Sequence, residues 1–401
     1  MTNVCVYFQL HQPRRLRRLS PLRPNGDLSY FDDEQNAAIV RRVAERCYLP
    51  ALSAIAAAVK ESAGDFRCVM SITGELIEQL RDWAPMVIRD LQTLVALGAV
   101  ELLGETYHHS LVCFVGREEF REQVEKHQAL IGDLFGVRPR IFRNTELLFS
   151  DDLAEWIAAS GFHGAIIEEP THDGHRNGEL YQASGAPLVL FTRDRTLSDR
   201  VGFRYSNGSD RLTVAEFQRA ILVAAEGRNE RMSVPRESVL LLGIDFESFG
   251  EHQSAETGVV DFLREFAASR ARTTGITFVT PGSVLPRINR AQLPRLQVSA
   301  TTSWADTERD ASAWLGNQMQ QRAFAELEST YFECRNVDDG AHLETWRRLS
   351  TADHFHYMAT KPGADGAIHE YFRPYDTPYE AFLNYMEVLT DLRRKCRQSS
   401  L

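Results

Sequence analysis

Along the first three-quarters of the chain, short apolar runs alternate with longer stretches whose apolar positions recur every three or four residues. The runs are Val4–Leu10, Phe66–Ile72, Val100–Leu103, Ile141–Phe142, Gly164–Ile167, Leu188–Phe191, Val239–Ile244 and Thr277–Val279. Most are near-continuous rather than alternating, as strands buried on both faces require. Between many of them, Glu34–Ala58, Pro85–Leu97, Arg117–Phe135 and Asp151–Ser160 carry the helical period. Strand and helix in alternation predict parallel β/α units. Seven or eight strands fit a closed or nearly closed barrel better than an open dinucleotide-binding sheet, although periodicity alone separates the two poorly.

From about Pro286 the pattern changes. Asp306–Glu328, Asp338–Ser350 and Pro378–Arg397 have helical periodicity with no strand-like run among them. The expected division is a catalytic barrel over residues 1–285 and a helical C-terminal domain over 286–401. The second part carries Trp304, Trp314, His354, His356 and Tyr357, so it is expected to contribute to the active site.

Composition narrows the function. Of 401 residues, 43% are hydrophobic and 25% charged, which is ordinary for a globular protein, and a net charge of -10 disfavours nucleic acid or an anionic membrane as partner. A local basic run, Arg14-Arg15-Leu16-Arg17-Arg18, precedes a Ser-Pro-Leu-Arg-Pro-Asn-Gly loop and reads as solvated or substrate-facing. The cysteines, Cys5, Cys47, Cys68, Cys113, Cys334 and Cys396, form no C-x-x-C pair and are expected to be reduced. With no signal-peptide pattern and no membrane-length apolar stretch, a cytoplasmic location is expected. The pattern leaves the oligomeric state open.

The candidate chemistry lies just after the strand runs, where barrel enzymes collect catalytic groups. These positions hold His11-Gln12-Pro13, Thr73-Gly74-Glu75, Gly104-Glu105-Thr106-Tyr107-His108-His109, Arg143-Asn144-Thr145-Glu146 and Asp245 through His252. Two carboxyl groups in different protonation states suffice for glycoside hydrolysis. Glu146 and Asp245 are the chosen pair because they sit on separate strand ends and so can face one another across a substrate. Neighbours such as Glu168-Glu169 point opposite ways. His11, His108, His109 and His252 are candidates for hydrogen bonds to sugar hydroxyls or for ligating a metal, but no tight ligand spacing such as H-x-x-x-H is present. Trp304, just before a helix, is the better sugar-stacking candidate of the two tryptophans, with Trp314 as core or platform.

These motifs resemble the conserved segments of family 57 glycoside hydrolases, the α-amylase and 4-α-glucanotransferase group, over nearly the whole chain. His11-Gln12-Pro13 is similar to the first segment and Gly104 through Leu111 to the second. Phe142-Arg143-Asn144-Thr145-Glu146-Leu147 is similar to the third, whose glutamate is the family nucleophile. Asp245-Phe246-Glu247-Ser248-Phe249-Gly250-Glu251-His252 is similar to the fourth, whose leading aspartate is the acid/base. Ser303-Trp304-Ala305-Asp306 through Asn317 resembles the fifth, and Asp353-His354-Phe355-His356-Tyr357-Met358 a tail of the smaller bacterial α-amylase members.

The resemblance implies an α/β fold, an incomplete (β/α)7 barrel with a helical domain completing the site, and no metal cofactor. It implies retaining cleavage of α-1,4-glucosidic bonds in an α-glucan or maltooligosaccharide through a glucosyl ester on Glu146, with transglycosylation as a second outcome. Substrate contacts are then expected from His11, Glu75, His108, His109, Arg143, His252, Trp304, Trp314, His354 and Tyr357. Asn144-Thr145 lacks the tryptophan that precedes the nucleophile in some transferase members. A 4-α-glucanotransferase and an amylopullulanase are the alternatives within the family. A metal-dependent polysaccharide deacetylase, with zinc at His11, His108 or His109, is the remote one.

Overall fold

The computed structural model describes residues 1–18, 29–169, 179–207, 210–229, 237–337, 340–361 and 373–399. The Ser-Pro-Leu-Arg-Pro-Asn-Gly loop and the start of the helix expected from Asp338 lie outside them. Each apolar run forms a strand. In chain order the strands are β1 (Thr2–Leu10), β2 (Cys68–Ile72), β3 (Val100–Leu102), β4 (Ile141–Arg143), β5 (Gly164–Ile167), β6 (Leu180–Ala183), β7 (Val189–Thr192), β8 (Ser206–Asn207), β9 (Asp210–Arg211), β10 (Leu240–Asp245), β11 (Ile276–Phe278) and β12 (Arg295–Leu296). The hairpin β8–β9, β6 and β12 match none of the expected runs, being two to four residues long with polar positions inside them. β6 runs antiparallel to β7, and β12 pairs with β6.

β1 pairs in parallel with β10 and β2, β2 with β3, β4 with β5, and β5 with β7. Two single bridges, Gly104 with Phe142 and Arg193 with Leu241, join these sheets. Seven parallel strands, β1, β2, β3, β4, β5, β7 and β10, thereby surround one interior with all their C-terminal ends on the same side. The ladder is interrupted at the two bridged seams, so the barrel is incomplete.

The expected helix Arg117–Phe135 forms over that span and stops at Gly136, whose φ of 67° suits a residue without Cβ. The stretch expected as one helix from Glu34 to Ala58 is instead broken into Asp33–Val43, a π turn Ala44–Tyr48 and Leu49–Glu61. Pro50 has no N–H to give the carbonyl of Arg46 four residues back. Gly250 packs on that freed carbonyl, where a Cβ would lie 2.1 Å from the oxygen.

The C-terminal helices Gln318–Arg335, Ala341–Leu349 and Pro378–Ser399 share one apolar core with the second sheet, running from Phe142, Ala165 and Leu190 through Trp314 and Trp346 to Leu389. Trp346 is fully buried and its indole N–H donates to the Leu327 carbonyl at 2.8 Å, so its truncation to alanine forfeits about 3–5 kcal/mol of packing. No helix among the described residues is long and apolar enough to cross a membrane.

Candidate active site

Period-two alternation decides which strand-end side chains enter the barrel. In β1, Val4, Val6, Phe8 and Leu10 pack outward on helices while Cys5 and Tyr7 pack inward, which turns Gln9 into the interior. The same parity turns Arg143 and Asp245 inward, and carries past β3, β5 and β7 to Glu105, Glu168 and Arg193. Contacts tie this polar ring together: Arg143 Nη2 donates to Gln9, and Arg193 Nη1 reaches Glu168 at 3.1 Å and its Nε the Gly243 carbonyl at 2.9 Å.

Glu146 stands three residues past β4 in the left-handed region, at φ 54° and ψ 27°, followed by Leu147 at φ 52°. Such a conformation costs about 1–3 kcal/mol per non-glycine residue and persists where the surroundings impose it. Here the Glu146 carbonyl accepts from Ser303 Oγ at 2.8 Å and from the Trp304 amide at 3.3 Å. Its carboxylate accepts from His109 Nε2 at 2.5 Å and from Trp304 Nε1 at 2.8 Å. The indole ring lies 5.4 Å from the guanidinium carbons of both Arg143 and Arg193, seated on two cations.

Burial pushes the Glu146 carboxyl up, but the hydrogen bond and charge of His109, the Arg143 charge and the indole N–H outweigh it and bring it to about 2. Burial pulls His109 down, yet Glu105 and Glu146 raise it to about 9 against the opposing Arg143. His109 is therefore an imidazolium at neutral pH. Arg143 Nη1 lies 3.3 Å from His109 Nδ1, a contact between two cations that the wholly buried Glu105 carboxylate balances, 3.6 Å from one and 3.9 Å from the other.

Asp245 ends β10 in register with Gln9. Two residues on, buried Glu247 accepts from Tyr48 Oη at 2.5 Å and from the His11 amide at 3.3 Å. Burial, then the charge of Asp245, pushes Glu247 up to about 8, so it holds its proton at neutral pH. Glu146 and Asp245 line the same cavity of about 720 Å³, within the size range of small-ligand sites. An ionised carboxylate and a second carboxyl group facing one cavity are the components that glycosidic-bond cleavage by two carboxyls requires.

His11 also lines this cavity. The Asp353 carboxylate accepts from His11 Nε2 at 3.1 Å, which leaves Nδ1 of the neutral ring to accept from Thr73 Oγ1 at 2.9 Å, while that hydroxyl oxygen accepts from the Leu76 amide. The His11 ring stacks on His109 with centroids 4.1 Å apart. Burial and that neighbouring cation pull His11 down, and it stays neutral. Burial pushes Asp353 up, but the His11 N–H and the His109 charge hold it well below the usual carboxylate range. His11, His109 and Asp353 bring ligand atoms within 4.8 Å of one another. With these protons the two facing nitrogens are donors, to Asp353 and to Glu146, so a cation there would have to displace both protons.

Of the other expected substrate contacts, His252, Trp304, Trp314 and Tyr357 line the cavity, while His109 and Arg143 lie behind Glu146 and beneath Trp304. Glu75, His108 and His354 are not on the cavity wall. Glu75 accepts from Arg14 and from His108 Nδ1 at 2.7 Å, a buried cluster that fastens the helix Gly74–Trp83. In the short helix Ala352–His356, Asp353, His356 and Tyr357 follow at three- and four-residue spacing on the cavity side, whereas His354 is rotated into the core beside Tyr385. Sequence reasoning passed over Glu105, Glu168, Arg193 and Asp353 as site residues. The first three carry the same strand-end signal as Arg143 and Asp245, and Asp353 leads a motif that was noted for its histidines.

The profile described as Glycosyl hydrolase family 57 matches residues 5–297 of this chain. A curated protein of Methanocaldococcus jannaschii named "Putative alpha-amylase" is 34% identical over 400 residues, which is 96% of this chain and 82% of that protein. Among solved structures, a GH57 branching enzyme of Thermococcus kodakaraensis aligns with a TM-score of 0.68 at 13% identity, over 99% of this chain and 95% of that one. The 4-alpha-glucanotransferase of Thermococcus litoralis aligns at 0.68 and 14% identity, over 96% of this chain and 60% of that one. The alpha-amylase AmyC of Thermotoga maritima gives 0.62 at 14% identity, over 100% and 96%. At these identities the structural likeness is one of fold.

Proposed function

Because this chain belongs to glycosyl hydrolase family 57, we propose that its cavity holds an α-glucan or maltooligosaccharide and cleaves α-1,4-glucosidic bonds with retention of configuration. Glu146 attacks the anomeric carbon while Asp245 protonates the departing glycosidic oxygen, leaving a glucosyl ester on Glu146. Asp245, now a carboxylate, takes a proton from water, which attacks the ester and frees Glu146. Where a second sugar hydroxyl replaces that water, the product is a transferred chain. The helical segment shapes the site through Trp304, Trp314, Asp353 and Tyr357, which line the cavity.

One observation carries the reading: Glu146 is held ionised by His109 and Trp304 at the wall it shares with Asp245. The names of these relatives, two of them alpha-amylases and one a 4-alpha-glucanotransferase, support the substrate class. Incubation with maltoheptaose, followed by proton NMR of the newly formed anomeric centre, tests it. α-Configured shorter products are expected, and an initial β-anomer or no product at all refutes it. Products longer than maltoheptaose would place the 4-α-glucanotransferase reaction first. A second reading, metal-assisted hydrolysis as in deacetylases, draws on the His11, His109 and Asp353 cluster; one tightly bound divalent cation per chain and activity abolished by a chelator would establish it.

A further inference from the structure

The basic run near the N-terminus divides on folding. Arg14 pairs with Glu75, with Glu78 at 3.3 Å and with Asp33 at 3.7 Å, and exposed Arg18 lies 3.7 Å from Asp376. Arg15 is different. It is 1% exposed, it lines the catalytic cavity, and no described carboxylate lies within ion-pair distance of it. Its backbone is clamped by Asn36, whose Oδ1 accepts from the Arg15 amide at 2.9 Å and whose Nδ2 donates to its carbonyl at 3.2 Å. Its guanidinium touches only neutral acceptors, the Pro13 carbonyl at 3.3 Å and Gln12 Oε1 at 3.2 Å, and Nε has no partner.

A buried guanidinium held from behind by neutral oxygens, with three of its five N–H groups unspent, is a costly arrangement unless an anion completes it. A second buried donor on the same wall is also unspent. Tyr357 is 4% exposed, lines the cavity, and its hydroxyl has no hydrogen-bond partner. Burial pushes that phenol up while the nearby Arg15 charge opposes it, so it remains a protonated donor beside the guanidinium. Asp353, the carboxylate of this corner, is turned to His11.

We propose that the Arg15 and Tyr357 corner of the cavity is a subsite for an oxyanion carried by the saccharide, a phosphate ester or a carboxylate, gripped by the free N–H fork of Arg15 and by the Tyr357 hydroxyl. The proposal rests on the reading of the cavity as a saccharide site and adds to it that one sugar of the ligand is charged. An Arg fork matches the planar pair of oxygens on either group.

Calorimetric titration of the full chain with glucose, glucose 1-phosphate and glucuronate, at constant ionic strength, is the test. At least one charged sugar is expected to bind tenfold or more tightly than glucose, and whichever is preferred tells phosphate from carboxylate. Arg15→Gln is expected to erase that preference in a variant whose circular dichroism spectrum matches that of the unsubstituted protein, and Tyr357→Phe, which keeps the charge and the ring, to reduce it a few-fold. Equal affinities for charged and neutral sugars, or a preference that survives both substitutions, overturn the proposal. Because binding is read without turnover, hydrolysis of maltoheptaose with no charged-sugar preference refutes this subsite alone, whereas charged-sugar binding without hydrolysis refutes only the glycosidase reading.

Discussion

The two halves of the barrel treat their carboxyl groups in opposite ways. Beyond β4, Glu146 is surrounded by positive charge and donors: the His109 imidazolium, the Arg143 guanidinium and the Trp304 N–H. Beyond β10, Glu247 lies two residues past Asp245 and accepts from Tyr48 and from the His11 amide. The first environment favours a carboxylate that keeps its charge until it forms a bond. The second penalises a charge on Glu247, which burial and the charge of Asp245 push up to about 8. The mechanism proposed above needs an ionised nucleophile and a separate proton donor, and the two carboxyl groups assigned to those roles stand on separate sheets joined at two thin seams.

Removing either member of the pair breaks the comparison most severely. Glu146→Gln keeps the shape of the side chain, can accept from only one of the His109 and Trp304 donors, and cannot form the ester, so kcat on maltoheptaose is expected to fall on the order of 10^4-fold or more with binding retained. Steady-state kinetics and calorimetry on the folded variant check this. Asp245→Asn is expected to cost about 10^3-fold on the same substrate, as loss of a general acid does, and far less on an α-glucosyl fluoride, whose leaving group needs little proton assistance. Equal losses on both substrates would take the proton-donor role from Asp245.

His109→Asn tests the cause of the asymmetry rather than its members. In the proposed mechanism Glu146 works as the anion, so activity is expected above its pKa and lost below it. Without the imidazolium that holds it near 2, the carboxyl rises, and the acid limb of kcat/KM is expected to move to higher pH by about one unit or more. An unmoved limb would mean that Arg143 and Trp304 suffice.

The strands were legible because burial on both faces needs unbroken apolar residues, as in Val239–Ile244, and that pattern survives without any tertiary information. β6 was not legible: Leu180-Tyr181-Gln182-Ala183 owes its conformation to pairing with β7, a long-range cause that leaves no periodic trace. Glu146 and Asp245 stood out by position after their strands. Glu168 and Arg193 occupy equivalent positions, but Glu168 was set aside with Glu169 as a neighbouring pair and Arg193 has no recognised motif around it. His108 and His109 show the limit of adjacency. They are neighbours in sequence, but the φ of 52° at His109 and the opposite pointing of consecutive side chains send one to Glu75 and the other to Glu146. Arg15 was seen only as part of a charge run, since its isolation from every described carboxylate is a property of the packed molecule.

The smallest effect sharpens the other side of the comparison. Glu247 is raised to about 8 by burial and by Asp245, against an ordinary value of 4.5. Between those values the folded protein holds a proton that the unfolded chain releases, so this group's contribution to stability is full below 4.5 and lost as pH rises through 8. A single proton changes stability by at most about 1.4 kcal/mol per pH unit. Glu247→Gln keeps the shape and the neutral state but does not titrate. Other groups, among them His109 and His354, also tilt the curve over this range, so the quantity to follow is the difference between the two proteins. In urea titrations from pH 5 to pH 8, the wild-type stability is expected to decline relative to Glu247→Gln by a few kcal/mol across the interval. Parallel stability curves would mean that Glu247 is ionised in the folded protein as it is in the unfolded chain.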